Sequence, residues 1–173
     1  MDRRNFIQSS APAVLAAGTA TSLSEAKSGS DPKYFDIVLA VVDAWRRLDI
    51  DGVLVHISED ILWYSHVGSP PMQNKPQMRA FLETFASGIT DVKWVIYNHA
   101  ISGNQIFLDG ADDFVMIPEK RRVAIPYLGV MTFRGALICE WRDYFDRAVF
   151  LRYKAGEVPT MDMQRLLDRP GRP

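Results

Sequence analysis

From Val92 onward the chain is broken at Gly103-Asn104, at Pro118 to Arg121 and at Gly135-Ala136, and between these breaks apolar and polar residues alternate with a period of two. That period puts successive side chains on opposite faces of a strand. Strands are therefore expected over Val92 to Ser102, Gln105 to Ile117, Arg122 to Arg134 and Leu137 to Arg147, with an earlier one over Ile61 to Val67. Breaks this short join antiparallel neighbours, because a parallel return needs a long crossover.

Upstream the period lengthens. Asp31-Pro32 reads as an N-cap followed by proline at the first helical position, and Tyr34, Ile37, Val38, Val41, Val42 and Trp45 recur at helical spacing as far as about Leu48. Asp51 is placed to cap a short second helix carrying Val53, Leu54 and Ile57. Asn74 with Pro76 is placed to open a third, with Met78, Phe81, Leu82 and Phe85 on one face. Helices first and a run of strands after them predict an α+β layer, with three N-terminal helices covering one face of a curved antiparallel sheet.

The first residues read differently. Arg3-Arg4-Asn5-Phe6-Ile7-Gln8, the small apolar run Ala11 to Ala20 and a polar stretch predict an export signal over residues 1–26 of the twin-arginine type, and hence a periplasmic protein; a disordered basic terminus on a cytoplasmic protein is the alternative. The apolar run is too short to span a bilayer, so no membrane association is expected of the mature form. One domain is expected over residues 27–155, followed by a C-terminal tail over 156–173. A formal net charge of -1 gives no long-range attraction for nucleic acid. A single cysteine, Cys139, excludes an internal disulfide, and with three histidines lacking clustered carboxylates no metal site is expected.

Face assignment isolates the chemistry. Along the last strand Leu137, Cys139, Trp141, Asp143 and Phe145 share one face, opposite Ile138, Glu140, Arg142, Tyr144 and Asp146, so Asp143 falls on the apolar side. The same count places Asp112 inward with Ile106, Leu108, Gly110, Phe114 and Met116, and Asp113 outward. On the first strand Tyr64 and His66 share a face with Leu62, opposite Trp63, Ser65 and Val67. A pocket holding Asp143, Asp112, Tyr64 and His66 among Trp141, Phe145, Phe114, Ile125 and Tyr127 is therefore expected. Burying a carboxylate demands hydrogen bonds or a raised pKa, and either suits proton transfer; a purely structural carboxylate is the alternative.

The segment Tyr127-Leu128-Gly129-Val130 and the string Trp141-Arg142-Asp143-Tyr144-Phe145-Asp146 resemble the limonene-1,2-epoxide hydrolases of the nuclear transport factor 2-like (SnoaL-like) superfamily. The resemblance implies a cone-shaped α+β fold, commonly dimeric, with a deep pocket for a small lipophilic substrate and no metal or organic cofactor. It also implies that Asp143 is the base that activates water and that Tyr64 assists it, with His66 where the family has asparagine. Asp112 falls at the general-acid position and Gly110 where the family has arginine. The activity implied is hydrolysis of an epoxide to a diol. The missing arginine leaves open an isomerase, dehydratase, cyclase or lyase using the same carboxylates, and a non-catalytic ligand-binding module.

Overall fold

The computed structural model describes residues 33–172. The export signal expected over residues 1–26 and the helix start at Asp31-Pro32 lie outside the described residues. In chain order the elements are α1 (Lys33–Arg46), α2 (Ile50–Leu54), β1 (Ile57–Tyr64), α3 (Lys75–Ala86), β2 (Ile89–Ser102), β3 (Gln105–Met116), β4 (Arg121–Arg134), β5 (Leu137–Tyr144), α4 (Arg147–Ala155) and α5 (Met161–Leu167).

The five strands form one curved, open sheet in the order β1-β5-β4-β3-β2. The three hairpins from β2 to β5 are antiparallel, as the tight breaks require. The expectation of an antiparallel sheet throughout is corrected at one edge, where β1 lies parallel to β5. A parallel neighbour needs a crossover, and here the connection runs through α3 and the whole meander. Pairing registers shift within β2 and between Thr132 and Phe133 of β4. Extra residues of this kind bend a sheet and increase its twist.

Helix α1 presents Val38, Val41 and Val42, all fully buried, and α3 presents Met78 and Leu82. They meet Ile61, Ile106, Leu108, Met131, Phe133 and Ile138 of the sheet in one core. Burying a side chain of this size contributes about 1.5–3 kcal/mol, so the helical layer is held by its apolar face. Asn74 caps α3, its side chain accepting from Gln77 N at 2.9 Å, with proline in the first turn.

Several boundaries differ from expectation. The cap of α2 is Asp49, which accepts from Gly52 N, and Ile57 begins β1 instead of ending the helix. The last strand stops at Tyr144, because Asp146 turns its carboxylate back onto Ala148 N and Val149 N and starts α4. The tail carries α5, capped by Thr160, and then lies against the sheet face opposite the helices. There Tyr97 Oη donates to the Leu167 carbonyl at 2.6 Å, Arg169 grips Asp109 with two bonds of 2.9 and 3.0 Å, and the Arg172 backbone pairs with Ile96 on the edge of β2.

Candidate active site

Between the helices and the sheet lies a cavity of about 430 Å³, within the range of small-molecule pockets. Its walls are largely apolar and aromatic, and all four tryptophans of the chain, Trp45, Trp63, Trp94 and Trp141, line it. Of the residues expected there, Asp143, Asp112, His66, Trp141, Phe145, Phe114, Ile125 and Tyr127 are present.

Tyr64 is not among the lining residues; Trp63 is, and the face assignment on β1 is corrected accordingly. Both faces of that strand carry bulky side chains, so alternation gave no sense of direction. His66 reaches the cavity although Trp63 does too, because β1 has ended and the chain bends: Val67 N bonds to the Asp143 carbonyl at 2.9 Å, and Ser69 turns back onto the His66 carbonyl. On β5 the register shift resets the alternation. Ile138 is fully buried and Leu137 is exposed, while the Cys139 thiol lies against the Thr132 carbonyl and does not line the cavity.

Asp143 stands opposite Gly129 of β4 and is held by two indoles. Trp141 Nε1 donates to its Oδ1 at 2.8 Å and Trp63 Nε1 to its Oδ2 at 3.3 Å. Asp112 has Trp94 and Ile125 as its cross-strand neighbours, and its side chain makes no hydrogen bond among the described residues, so its carboxyl opens onto the cavity alone. Burial pushes Asp112 up to about 7. Burial first, and the charge of Asp112 second, push Asp143 up to about 8, against the pull of the two indoles.

At neutral pH the pair therefore retains at least one proton. Taken separately those values would leave the last proton on Asp143. The proton belongs to the pair, because coupled carboxyls titrate as a unit, and the two indole N–H groups, which can only donate, favour charge on Asp143.

The place of the expected arginine is filled by a phenol. A Cβ on Gly110 would run into the Val95 carbonyl oxygen and would stand 2.8 Å from Tyr127 Cε1 and 2.9 Å from its hydroxyl. Gly129, two residues along β4, leaves the room on the other side of the ring, where a Cβ would meet Tyr127 Cε2 at 3.0 Å. Tyr127 is thus seated between two glycines, and its oxygen accepts a short hydrogen bond from Trp94 Nε1. Burial and the nearby Asp112 hold the phenol well above its ordinary pKa, so it stays protonated. Its own O–H has no acceptor among the described residues and is available to a ligand. Trp63 and Trp94 were not foreseen as indole donors, since a tryptophan on a strand carries no sequence mark of where its N–H points.

No curated protein matches the sequence. Among solved structures the chain is similar to an LEH-like epoxide hydrolase from M. tuberculosis, with a TM-score of 0.61 and 22% identity over 71% of this chain and 92% of that one. It is similar to an NTF2-like protein of unknown function from Burkholderia pseudomallei, with a TM-score of 0.63 and 20% identity over 70% and 96%. It is also similar to the epoxide hydrolase/cyclase-like enzyme SalBIII of pyran ring formation in salinomycin, with a TM-score of 0.63 and 17% identity over 69% and 95%. Identities this low carry the fold and not the reaction. The SnoaL-like domain family matches residues 38–141, more than half of the chain, and the helical layer, the curved sheet and the cavity agree with it: this chain belongs to the SnoaL-like domain family, whose fold is nuclear transport factor 2-like.

Proposed function

We propose that the protein is a cofactor-independent acid-base enzyme that moves a proton on a small lipophilic carbonyl compound. The observation that carries this reading is the Tyr127 phenol packed against Gly110, the position at which the resemblance to the epoxide hydrolases implies an arginine. Asp143, negative and steadied by Trp141 and Trp63, takes a proton from a carbon next to the carbonyl. Charge then develops on the carbonyl oxygen, and the Tyr127 O–H with neutral Asp112 donates to it. A tyrosine beside a neutral carboxylic acid is the donor pair of ketosteroid isomerase, an analogy of chemistry.

From the enolate the proton returns at another carbon, giving an isomer; or the carbanion attacks a second carbonyl, closing a ring; or a β leaving group departs. The product class depends on the substrate. A neutral donor pair suits these outcomes because the oxygen must be stabilised without a permanent charge beside it.

Hydrolysis of an epoxide is the second reading. It is favoured by the Trp141-Arg142-Asp143-Tyr144-Phe145-Asp146 string and by the likeness in fold to an epoxide hydrolase. In it Asp143 deprotonates a water and Asp112 protonates the opening oxygen. The two are separated by incubating the protein in deuterium oxide with a panel of enolisable lipophilic ketones, and in ¹⁸O-water with terpene and aryl epoxides. Deuterium entering a ketone, lost in Asp143→Asn, supports the first reading. Labelled diol with no deuterium exchange would replace it with the second.

A further inference from the structure

The cavity is not uniformly apolar. Its buried end holds the carboxyl pair, while its open end carries the exposed Arg147 and the half-exposed Lys154, both from α4. The ammonium of Lys154 lies 3.7 Å from Glu119, which offsets its charge. Arg147 makes no ion pair and no side-chain hydrogen bond among the described residues. Its position is unfavourable for a cation, because it is the first residue of α4 and lies at the positive end of the helix dipole. The Asp146 carboxylate beside it is engaged with Ala148 N and Val149 N, and His66 faces the same space without adding negative charge.

We propose that Arg147 is a specificity residue and that the substrate is a lipophilic carboxylate, bound with its anionic end at Arg147 and its reactive end toward Asp143. The proposal rests on the proton-transfer reading for the direction of the reactive end, though not for the anion preference itself. An uncompensated guanidinium at the rim of an apolar cavity favours a carboxylate over a neutral group, with two N–H donors matched to two oxygens. The far end, with Asp112 and Asp143, offers the same carboxylate no cation. A cation at one end and none at the other favour a single orientation for an amphipathic anion. Lys154 adds less than Arg147, because Glu119 already answers it.

The test uses 2-naphthoate and its methyl ester, similar in shape and different in charge, with quenching of tryptophan fluorescence as the readout, since every tryptophan lines the cavity. At pH 6.5 and low salt the carboxylate is expected to bind about tenfold more tightly than the ester, the strength of one charge-assisted contact. Arg147→Gln is expected to erase most of that ratio, Lys154→Gln to reduce it by less than half, and added salt to shrink it in the wild-type protein. Asp143→Asn keeps the preference while abolishing proton transfer, so failed turnover with an intact preference counts against the chemistry and not against this site. Equal affinities for the two probes in the wild-type protein, or a preference that survives Arg147→Gln, would overturn the proposal.

Discussion

On β3, Asp109 and Asp113 point to one side of the sheet and Asp112 to the other, and the two sides treat a carboxylate in opposite ways. On the outer side each acid has an arginine: Arg169 grips Asp109, and Arg122 grips Asp113 with bonds of 2.7 and 2.6 Å. The Arg169 bonds hold Asp109 below its ordinary pKa. On the inner side Asp112 and Asp143 have no cation, and burial moves both upward. One sheet thus pairs its outer carboxylates with arginines and leaves its cavity carboxylates partly protonated, and a proton that can be gained or lost near neutrality is what acid-base chemistry uses.

The largest effect that sharpens this contrast is on activity. Asp143→Asn keeps the shape but removes the base and, because an amide has one acceptor oxygen, keeps only one of the two indole contacts; it is expected to lower kcat by about 10²–10⁴-fold once a substrate is found. Arg122→Ala, on the outer side, is expected to leave kcat within a few-fold.

Next comes stability against pH. The inner pair has folded-state pKa values above the unfolded 3.8. The folded chain therefore binds more protons than the unfolded one between about pH 4 and about pH 8, stability falls as pH rises through that window, and the full penalty is present above it. Asp112→Asn is expected to flatten that slope and to raise stability at pH 8 by about 2 kcal/mol or more, measured by urea unfolding across pH. Asp109 runs the other way, because its depressed pKa gives stability that is lost as pH falls below the ordinary aspartate range. A wild-type stability that rises steadily from pH 4 to 8 would break the comparison.

Smaller effects follow from packing. Gly110→Ala forces a Cβ onto the Val95 carbonyl and the Tyr127 ring, and is expected to cost about 1–3 kcal/mol by thermal unfolding, with activity falling as the phenol is displaced. Arg122→Ala leaves Asp113 unpaired with its side chain only 12% exposed. Arg122 itself is more than half exposed, so about 1–2 kcal/mol of lost stability is expected.

The inner and outer faces of β3 were legible in the sequence because its pairing with β4 has no register shift from Gln105 to Met116, so strict alternation separates Asp112 from Asp113. Asp143 was legible for a weaker reason. Alternation fails on β5 between Ile138 and Glu140, and Asp143 comes out inward because it lies on the same side of that shift as Trp141. β1 was misread because Trp63 and Tyr64 are both large, and the period cannot say which of two aromatics is inside. Helix α4 was not foreseen, the expected strand having run to its first residue, Arg147, although Asp146 as cap and the spacing of Val149 and Tyr153 mark it once a helix is considered. With α4 went Arg147. The role of Gly110 was legible only as a missing arginine, since the Tyr127 ring reaches it across strands and not along the chain.

The protonation of the cavity pair is most directly read by NMR titration of ¹³C-carboxyl-labelled aspartate, with Asp112 and Asp143 assigned from the two asparagine variants. The account predicts that at least one of these carboxyls keeps its proton above pH 6 and that removing either lowers the pKa of the other, while Asp109 ionises below the ordinary range. Both inner carboxyls fully ionised by pH 5, with neither affected by loss of the other, would contradict it.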